Sequence, residues 1–398
     1  MGSLTPARPE WLPKVRLRPG PANVAEYREK ARRVLPKPVF EFIDGGAEDE
    51  ITLTDNNAAY KKFTLTPNVA RGVKSVDLGR TVLGERLGLP ILLAPTGLPG
   101  LAHADAEFAA VRAAEAHGTR IVLSTGSSYS LEEVAHEATA SHWFQLYAWK
   151  NEEFAHTLVD RAEKAGYGAL FITLDVPVAG NRERDERNGF TTPPTISPMN
   201  ALAYAARPKW LMTAFRERNF VLRNLLDSGL TSGSRALSTL ESNAVLIDPD
   251  FSWDNVKRIR DRWPRRLAVK GILSPEDAVE AVGLGADAIV VSNHGGRQLD
   301  GAPATIDALP SILEAVAGRA EVLIDGGIRR GTDVAKAIAL GATACLIGRP
   351  WLYGLAYQGE AGVSRILDIF RDELNRTLTL IGCKAVDDLG PGHVGRRS

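Results

Sequence analysis

The string Ser292-Asn293-His294-Gly295-Gly296-Arg297-Gln298-Leu299-Asp300 sets an imidazole and a guanidinium three residues apart around a pair of glycines. An imidazole exchanges a proton near neutral pH, and a guanidinium grips a carboxylate through two parallel hydrogen bonds. The string therefore offers a base beside an anion clamp. A lone histidine is more often structural, but the glycine pair, Arg297 and a carboxylate at Asp175 weaken that alternative here. A second chemistry is suggested by Asp325-Gly326-Gly327-Ile328-Arg329 and Gly348-Arg349. Bare glycine backbone lets N–H groups approach a phosphate, and Arg329 and Arg349 supply charge.

These groups need elements to position them. Short apolar runs at 91–94, 121–124, 143–146, 169–174, 267–269, 288–292, 321–324 and 344–347 alternate with helically spaced stretches at 104–117, 131–138, 152–165, 275–284, 305–317 and 332–340. Several of these helices end in glycine where the next strand should begin. The alternation is that of an α/β chain with parallel strands. Eight such units fit a closed (β/α)8 TIM barrel better than an open doubly wound sheet. Chemistry in a barrel sits at the carboxyl ends of its strands. Those ends carry Pro95-Thr96-Gly97, Ser124, Gln145 with Tyr147, Thr173 with Asp175, Lys270, residues 293–297, 325–327 and 348–349. A single Gly-Gly pair reads as a tight turn, but two glycine-arginine groups after the last two strands favour a phosphate site.

The 398 residues are 44% hydrophobic and 24% charged, which excludes disorder and collagen-like repeats. Lys plus Arg and Asp plus Glu both total 48, so no net field draws the chain to nucleic acid. Cys345 and Cys383 make neither a disulfide framework nor a metal-ligand pattern, and no metal site is expected. Their scarcity fits a reducing cytoplasm. No run is long and apolar enough to span a membrane, and the proline-rich arm at 1–20 lacks a signal peptide's apolar core. The chain divides into an N-terminal arm and helical cap (1–88), the barrel (89–390) and a tail (391–398). Within the cap, 25–43 reads as one or two helices interrupted near Pro36 and Pro38. A long insertion after strand 4, at 191–243, reads as a lid. In it, 201–226, with Trp210, Phe215 and Phe220 beside Arg207, Lys209, Arg216 and Arg223, suits a helix over the site or contact with a membrane surface.

The chain from about Val24 to Pro391 resembles the flavin mononucleotide-dependent L-2-hydroxy acid oxidizing family, which includes glycolate oxidase, lactate oxidase, flavocytochrome b2 and mandelate dehydrogenase. The resemblance rests on Gly45-Gly46-Ala47-Glu48-Asp49, Pro95-Thr96-Gly97, Phe144-Gln145-Leu146-Tyr147, Thr173-Leu174-Asp175-Val176-Pro177, Arg182-Glu183-Arg184-Asp185 and the string from Ser292 to Asp300. It implies an FMN-binding barrel that oxidizes an L-2-hydroxy acid to the 2-oxo acid. His294 would be the base, Asp175 the support of its imidazolium, and Tyr147 a hydrogen-bond partner of the substrate hydroxyl. Arg182 and Arg297 would hold the substrate carboxylate. Pro95, Thr96, Gly97, Ser124, Gln145, Thr173, Lys270 and Ser292 would border the flavin. Asp325 would meet the ribityl chain, and Gly327, Arg329, Gly348 and Arg349 would enclose the phosphate.

Two positions depart from the family pattern. Phe42 stands where many members have a tyrosine that helps bind the carboxylate, and Gly97 where glycolate- and lactate-oxidizing members have alanine. Both enlarge or depolarise the pocket and point to a bulky, aromatic, mandelate-like substrate, with lactate as the smaller option. The absence of a heme-binding segment before the barrel argues against a flavocytochrome arrangement. Oxygen, a quinone or a protein carrier would reoxidise the flavin, and the resemblance implies a homotetramer or homo-octamer. Two other readings are a non-oxidizing FMN barrel like type-2 isopentenyl diphosphate isomerase and a redirected relative acting on a modified substrate.

Overall fold

The computed structural model describes residues 20–192, 195–198, 200–217, 222–228, 237–238 and 247–397. All of the expected arm but Gly20, and parts of the insertion including Phe220, lie outside the described residues. The barrel strands are β1 (Ile91–Leu93), β2 (Val122–Ser124), β3 (Trp143–Tyr147), β4 (Ala169–Thr173), β5 (Arg266–Ile272), β6 (Ala288–Val291), β7 (Glu321–Ile324) and β8 (Ala344–Ile347). They pair in parallel in the order β1-β8-β7-β6-β5-β4-β3-β2. A single bridge from Leu93 to Ile121 closes β1 onto β2. The expected (β/α)8 barrel is thus the observed one.

Side chains alternate across each strand, so one set fills the interior and the other packs beneath the helices. Leu92, Val122, Trp143, Phe171, Ala268, Val290, Leu323 and Leu346 form the inner cluster. Leu93, Phe144, Ile172, Val269 and Ile324 belong to the outer core. A hairpin, Arg80–Val82 with Glu85–Leu87, stops the amino-terminal end of the barrel. Its Val82, Leu83 and Leu87 join the inner cluster, each contributing on the order of 1.5–3 kcal/mol by burial. Polar contacts orient the plug: Trp143 Nε1 donates to Glu85 Oε1 at 3.1 Å, and the Leu83 N–H donates to the Glu321 carboxylate at 3.0 Å. With the hairpin covering that end, the cavity described below lies at the carboxyl end of the barrel.

Helices from both termini frame this open end. The expected interruption in 25–43 separates Val24–Val34, capped by the Asn23 side chain, from Lys37–Asp44. Asp44 ties the second helix down by accepting from Arg28 Nε and Nη2 at 2.7 Å each and from the Tyr353 hydroxyl at 2.7 Å. Tyr353 lies on the C-terminal helix Arg349–Ile381, which is interrupted at Gln358 and Gly359. Residues 391–398, read as a tail, include a strand, Val394–Arg396, paired antiparallel with Phe63–Leu65.

Two details differ from the sequence reading. Strand β5 runs past Lys270 to Ile272 through an irregularity at Gly271, so Lys270 lies within the strand rather than after it. Gly271 has φ +102°, and a Cβ there would stand 2.6 Å from Asp175 Cβ, so the residue must be glycine for Asp175 to lie against β5. The single helix expected over 201–226 is instead two helices, Ala201–Ala205 and Pro208–Glu217, followed by a 3-10 turn, Arg223–Ser228. Proline at 208 disfavours helical backbone at Arg207, which accounts for the break between the helices.

Candidate active site

His294 owes its position to backbone that folds back on itself. After β6, His294, Gly295 and Gly296 have φ of 56°, 64° and 73°, a left-handed run that glycine adopts freely and histidine at a cost of about 1–3 kcal/mol. Buried partners hold this turn. Ser292 Oγ accepts the His294 N–H at 3.1 Å, and Asn293 Oδ1 accepts the Gly296 N–H at 3.2 Å. Asn293 and Asn56 exchange amide hydrogen bonds of 2.8 and 2.9 Å, tying the turn to the helix Ile51–Ala59. The outcome is a 2.8 Å contact between His294 Nδ1 and Asp175 Oδ1, leaving Nε2 as the nitrogen available to the cavity.

Asp175 and Lys270 form the charged support beneath the imidazole. Burial favours the neutral form of Asp175, but His294 and Lys270 outweigh it and hold the carboxyl below its usual range. Burial likewise opposes charge on Lys270, yet Asp325 and Asp175 keep the ammonium above the usual lysine range. Its Nζ lies 2.8 Å from Ser292 Oγ, 3.2 Å from Asp325 Oδ2 and 3.9 Å from Asp175 Oδ2. Tyr147, at the end of β3, stacks 6.4 Å from the His294 ring at 25°. Burial raises its phenol further, so the hydroxyl remains a donor at neutral pH.

Opposite this group stand buried guanidiniums with too few anions. Arg182 has Asp185 at 3.5 Å, and burial still depresses its pKa against that carboxylate. Arg297 Nη1 donates to the carbonyls of Phe42 and Gly45 at 2.8 and 2.9 Å. Burial, then repulsion from Arg182 and Arg349, pushes Arg297 well below its usual range. The Phe42 ring lies 5.6 Å from the Arg182 guanidinium and 5.3 Å from that of Arg297. An anionic ligand would relieve this uncompensated positive charge.

A cavity of about 240 Å³ joins the two walls, lined among others by Tyr147, Arg182, Lys270, His294, Arg297 and Asp325. Pro95, Thr96, Gly97, Gly327, Arg329, Gly348, Arg349 and Phe42 also reach it. Ser124, Gln145, Thr173 and Asp175 are not on its wall but belong to the strand ends and loops around it. Ser292 is not on the wall either; its hydroxyl is taken up by Lys270 and the His294 N–H, which makes it a support of those groups. Arg349 donates from Nε, Nη1 and Nη2 to the carbonyls of Asp44, Gly295 and Gly45, so it also clamps the rim. Among the described residues Arg329 engages only Nη1, which donates to the Ile328 carbonyl at 2.9 Å.

The residues fit a flavin nucleotide. Among the described residues, Thr96 Oγ1 and Asp325 Oδ1 on the wall and Gln145 Nε2 and Thr173 Oγ1 on the strands beside it are buried without a hydrogen-bond partner, an expensive arrangement that a polar ring edge and ribityl chain would relieve. Gly327, Gly348 and Arg329 line the same cavity, a set of bare backbone and a cation that suits a phosphate. Gly327 is obligatory: φ is +76°, and a Cβ would fall 1.9 Å from the Asn56 carbonyl oxygen.

Sequence reasoning missed Gly126, Trp149, Leu222, Leu225 and Ile247 on the cavity wall. Trp149 was within reach, since it follows Tyr147 at the two-residue spacing of a strand face. The leucines come from the insertion, where no periodic pattern marks them.

With fold and site in place, the class follows. Residues 31–396 match the model of the FMN-dependent dehydrogenase family, and the chain belongs to that family. It is an FMN-dependent oxidoreductase of 2-hydroxy acids. The chain is 44% identical to L-lactate oxidase of Nostoc sp., over 93% of this chain and 96% of that protein. It is 43% identical to 2-hydroxyacid oxidase 1 of Mus musculus, over 91% and 93%. Among solved structures, (S)-mandelate dehydrogenase, described as a monotopic membrane protein, aligns with a TM-score of 0.89 and 38% identity over 95% of this chain and all of that one. Oxidation, rather than the isomerase-like alternative, is thus the reaction of this barrel.

Proposed function

We propose that the cavity oxidizes an (S)-2-hydroxy acid with a bulky apolar side chain, and that His294 is the base. The observation that carries this reading is the pairing, across one cavity, of the Asp175-supported imidazole with the under-neutralised Arg182 and Arg297. Arg182 and Arg297 bind the substrate carboxylate, and Tyr147 donates to the oxygen on the carbon being oxidized. That placement puts the substrate proton within reach of His294 Nε2. When Nε2 takes up the proton, the imidazolium is stabilised by the ionised Asp175 on Nδ1. The oxidation releases two electrons and two protons; His294 takes one proton, and bound FMN would supply the acceptor for the electron pair and the other proton. Ser124, Gln145, Thr173 and Lys270 would hold its polar edge, with the Lys270 charge favouring electron uptake there. Asp325 would hold the ribityl chain, and Gly327, Arg329 and Gly348 the phosphate, with Arg349 bracing the rim.

Phe42 and Gly97 support the bulky substrate. Phe42 stacks on Phe190 at 4.5 Å and 19° and offers no hydroxyl to the carboxylate, so that side of the pocket is apolar. The test is anaerobic mixing of the yellow holoenzyme with (S)-mandelate, (S)-lactate and glycolate. Flavin bleaching should be fastest with mandelate, and retention of colour across the panel refutes the reading. Comparing peroxide yield with dye reduction under air separates oxygen from a quinone or carrier as acceptor.

We further place the enzyme in the cytoplasm as a homotetramer or homo-octamer. Among the described residues no helix is long and apolar enough to cross a membrane. Leu202 and Met212 in the insertion are 82% and 73% exposed and supply the face for peripheral membrane contact, which vesicle co-sedimentation tests.

A further inference from the structure

We infer that Asn224 is a positioning residue that fixes the insertion over the cavity, and that Leu222 beside it selects the substrate side chain. The inference rests on the reading of this cavity as the hydroxy acid site.

Asn224 is fully buried, an unusual place for an amide. It is satisfied entirely by the loop that follows β2. Its Nδ2 donates to the Thr125 carbonyl at 3.2 Å and to Ser127 Oγ at 2.9 Å, and its Oδ1 accepts the Leu131 N–H at 2.9 Å. The Arg223 N–H adds a 3.3 Å bond to the Ser127 carbonyl. A buried amide with both donors and its oxygen engaged fixes one geometry, because any other leaves buried polar groups unpaired. The turn Arg223–Ser228 is thereby pinned to the element that carries Ser124 and Gly126. Farther along, Ile247 bridges to Trp149, and the Asp248 N–H donates to the Ala148 carbonyl at 2.9 Å. The turn Arg223–Ser228 and the segment at Ile247 and Asp248, past the end of the insertion, are thus each tied to backbone that follows the neighbouring strands β2 and β3.

What Asn224 delivers is an apolar roof. Leu222 and Leu225 flank it and line the cavity with Trp149 and Ile247. Beneath Leu222 lie Gly97 and Gly126. Neither has a left-handed φ, and a Cβ on either would meet its nearest neighbour at 3.5–3.6 Å, an ordinary contact. Backbone geometry does not require glycine at either place, and each missing side chain leaves room that a methyl group would fill in ordinary contact. A Cβ on Gly126 would lie 3.5 Å from Ser124 Oγ and 3.6 Å from Leu222 Cδ2, so Leu222 is the apolar side chain that borders this position. A hydroxy acid held by Arg182 and Arg297 can direct its side chain into this slot. A phenyl group extends farther from the carboxylate toward Leu222 than a methyl group does.

The experiment uses FMN-loaded enzyme and two unreactive carboxylates, acetate and phenylacetate, titrated by perturbation of the flavin absorbance. It is paired with kcat and KM for (S)-lactate and (S)-mandelate. Leu222→Ala should weaken phenylacetate about tenfold, the effect of losing contact with roughly two buried methylene groups, and leave acetate within about twofold. Asn224→Ala should reproduce that selective loss, raise KM for mandelate more than it lowers kcat, and expose the insertion to limited proteolysis. Leu222→Ala should not change the proteolysis. Equal weakening of both carboxylates, or no change in either, overturns the inference, and if Asn224→Ala fails to retain FMN, Leu222→Ala decides alone. If neither carboxylate binds the native holoenzyme, the reading of the cavity fails instead, and the two failures are distinct.

Discussion

Replacing Phe42 with tyrosine should return a hydrogen-bond donor to the carboxylate wall. The guanidiniums of Arg182 and Arg297 both lie near the Phe42 ring, at 5.6 and 5.3 Å, so an added hydroxyl is expected to join the groups that hold the anion. A hydrogen bond to a charged group contributes about 1.5–3 kcal/mol. Desolvating the new hydroxyl subtracts from this, so the lower end applies, about tenfold in affinity. The carboxylate does not change during oxidation, so the bond is equally strong in the ground and transition states. KM should therefore fall about tenfold while kcat holds. Steady-state dye reduction with (S)-lactate, together with acetate titration of the oxidized flavin, reads both quantities. An unchanged acetate affinity, or a fall in kcat with KM constant, refutes the placement of the carboxylate beside this ring.

Two further substitutions test the frame of the site. Glu107 is buried with one oxygen accepting the Ser128 N–H at 2.8 Å and the other without a hydrogen-bond partner among the described residues, and burial pushes its carboxyl up to about 7 from an ordinary 4.5. A raised native pKa means that its stabilisation is complete below pH 4.5 and is lost as pH rises through about 7, a decline of about 3 kcal/mol. Glu107→Gln should remove this decline from denaturant titrations run between pH 4.5 and 8, and an unchanged slope contradicts the assignment. Asp44→Asn breaks the carboxylate that accepts from Arg28 and Tyr353; because Arg28 is partly exposed, we expect a loss of roughly 2 kcal/mol, below that of a fully buried pair. Thermal unfolding of the holoenzyme measures it, and an unchanged Tm counts against the tether.

Most of the barrel and its polar rim were legible because a strand buried on both faces writes itself as a short apolar run and its end as a sudden polar residue. His294, Arg297, Tyr147 and Lys270 were found that way. The extension of β5 was not legible, because Gly271 is fixed by the approach of Asp175 from the loop after β4. Nor did charge reveal that Arg349 would meet three carbonyls, or that Ser292 would be taken up by Lys270. The roof was least visible: Asn224 acts through partners on a distant loop, and the insertion lacks the periodicity that would mark Leu222.

The most direct measurement is single-turnover reduction of His294→Asn by (S)-mandelate without oxygen. The account predicts that the variant stays yellow and FMN-loaded, still binds phenylacetate, and bleaches at least about a hundredfold more slowly than the native enzyme. Bleaching at the native rate would show that the proton leaves by another route and that the imidazole is not the base.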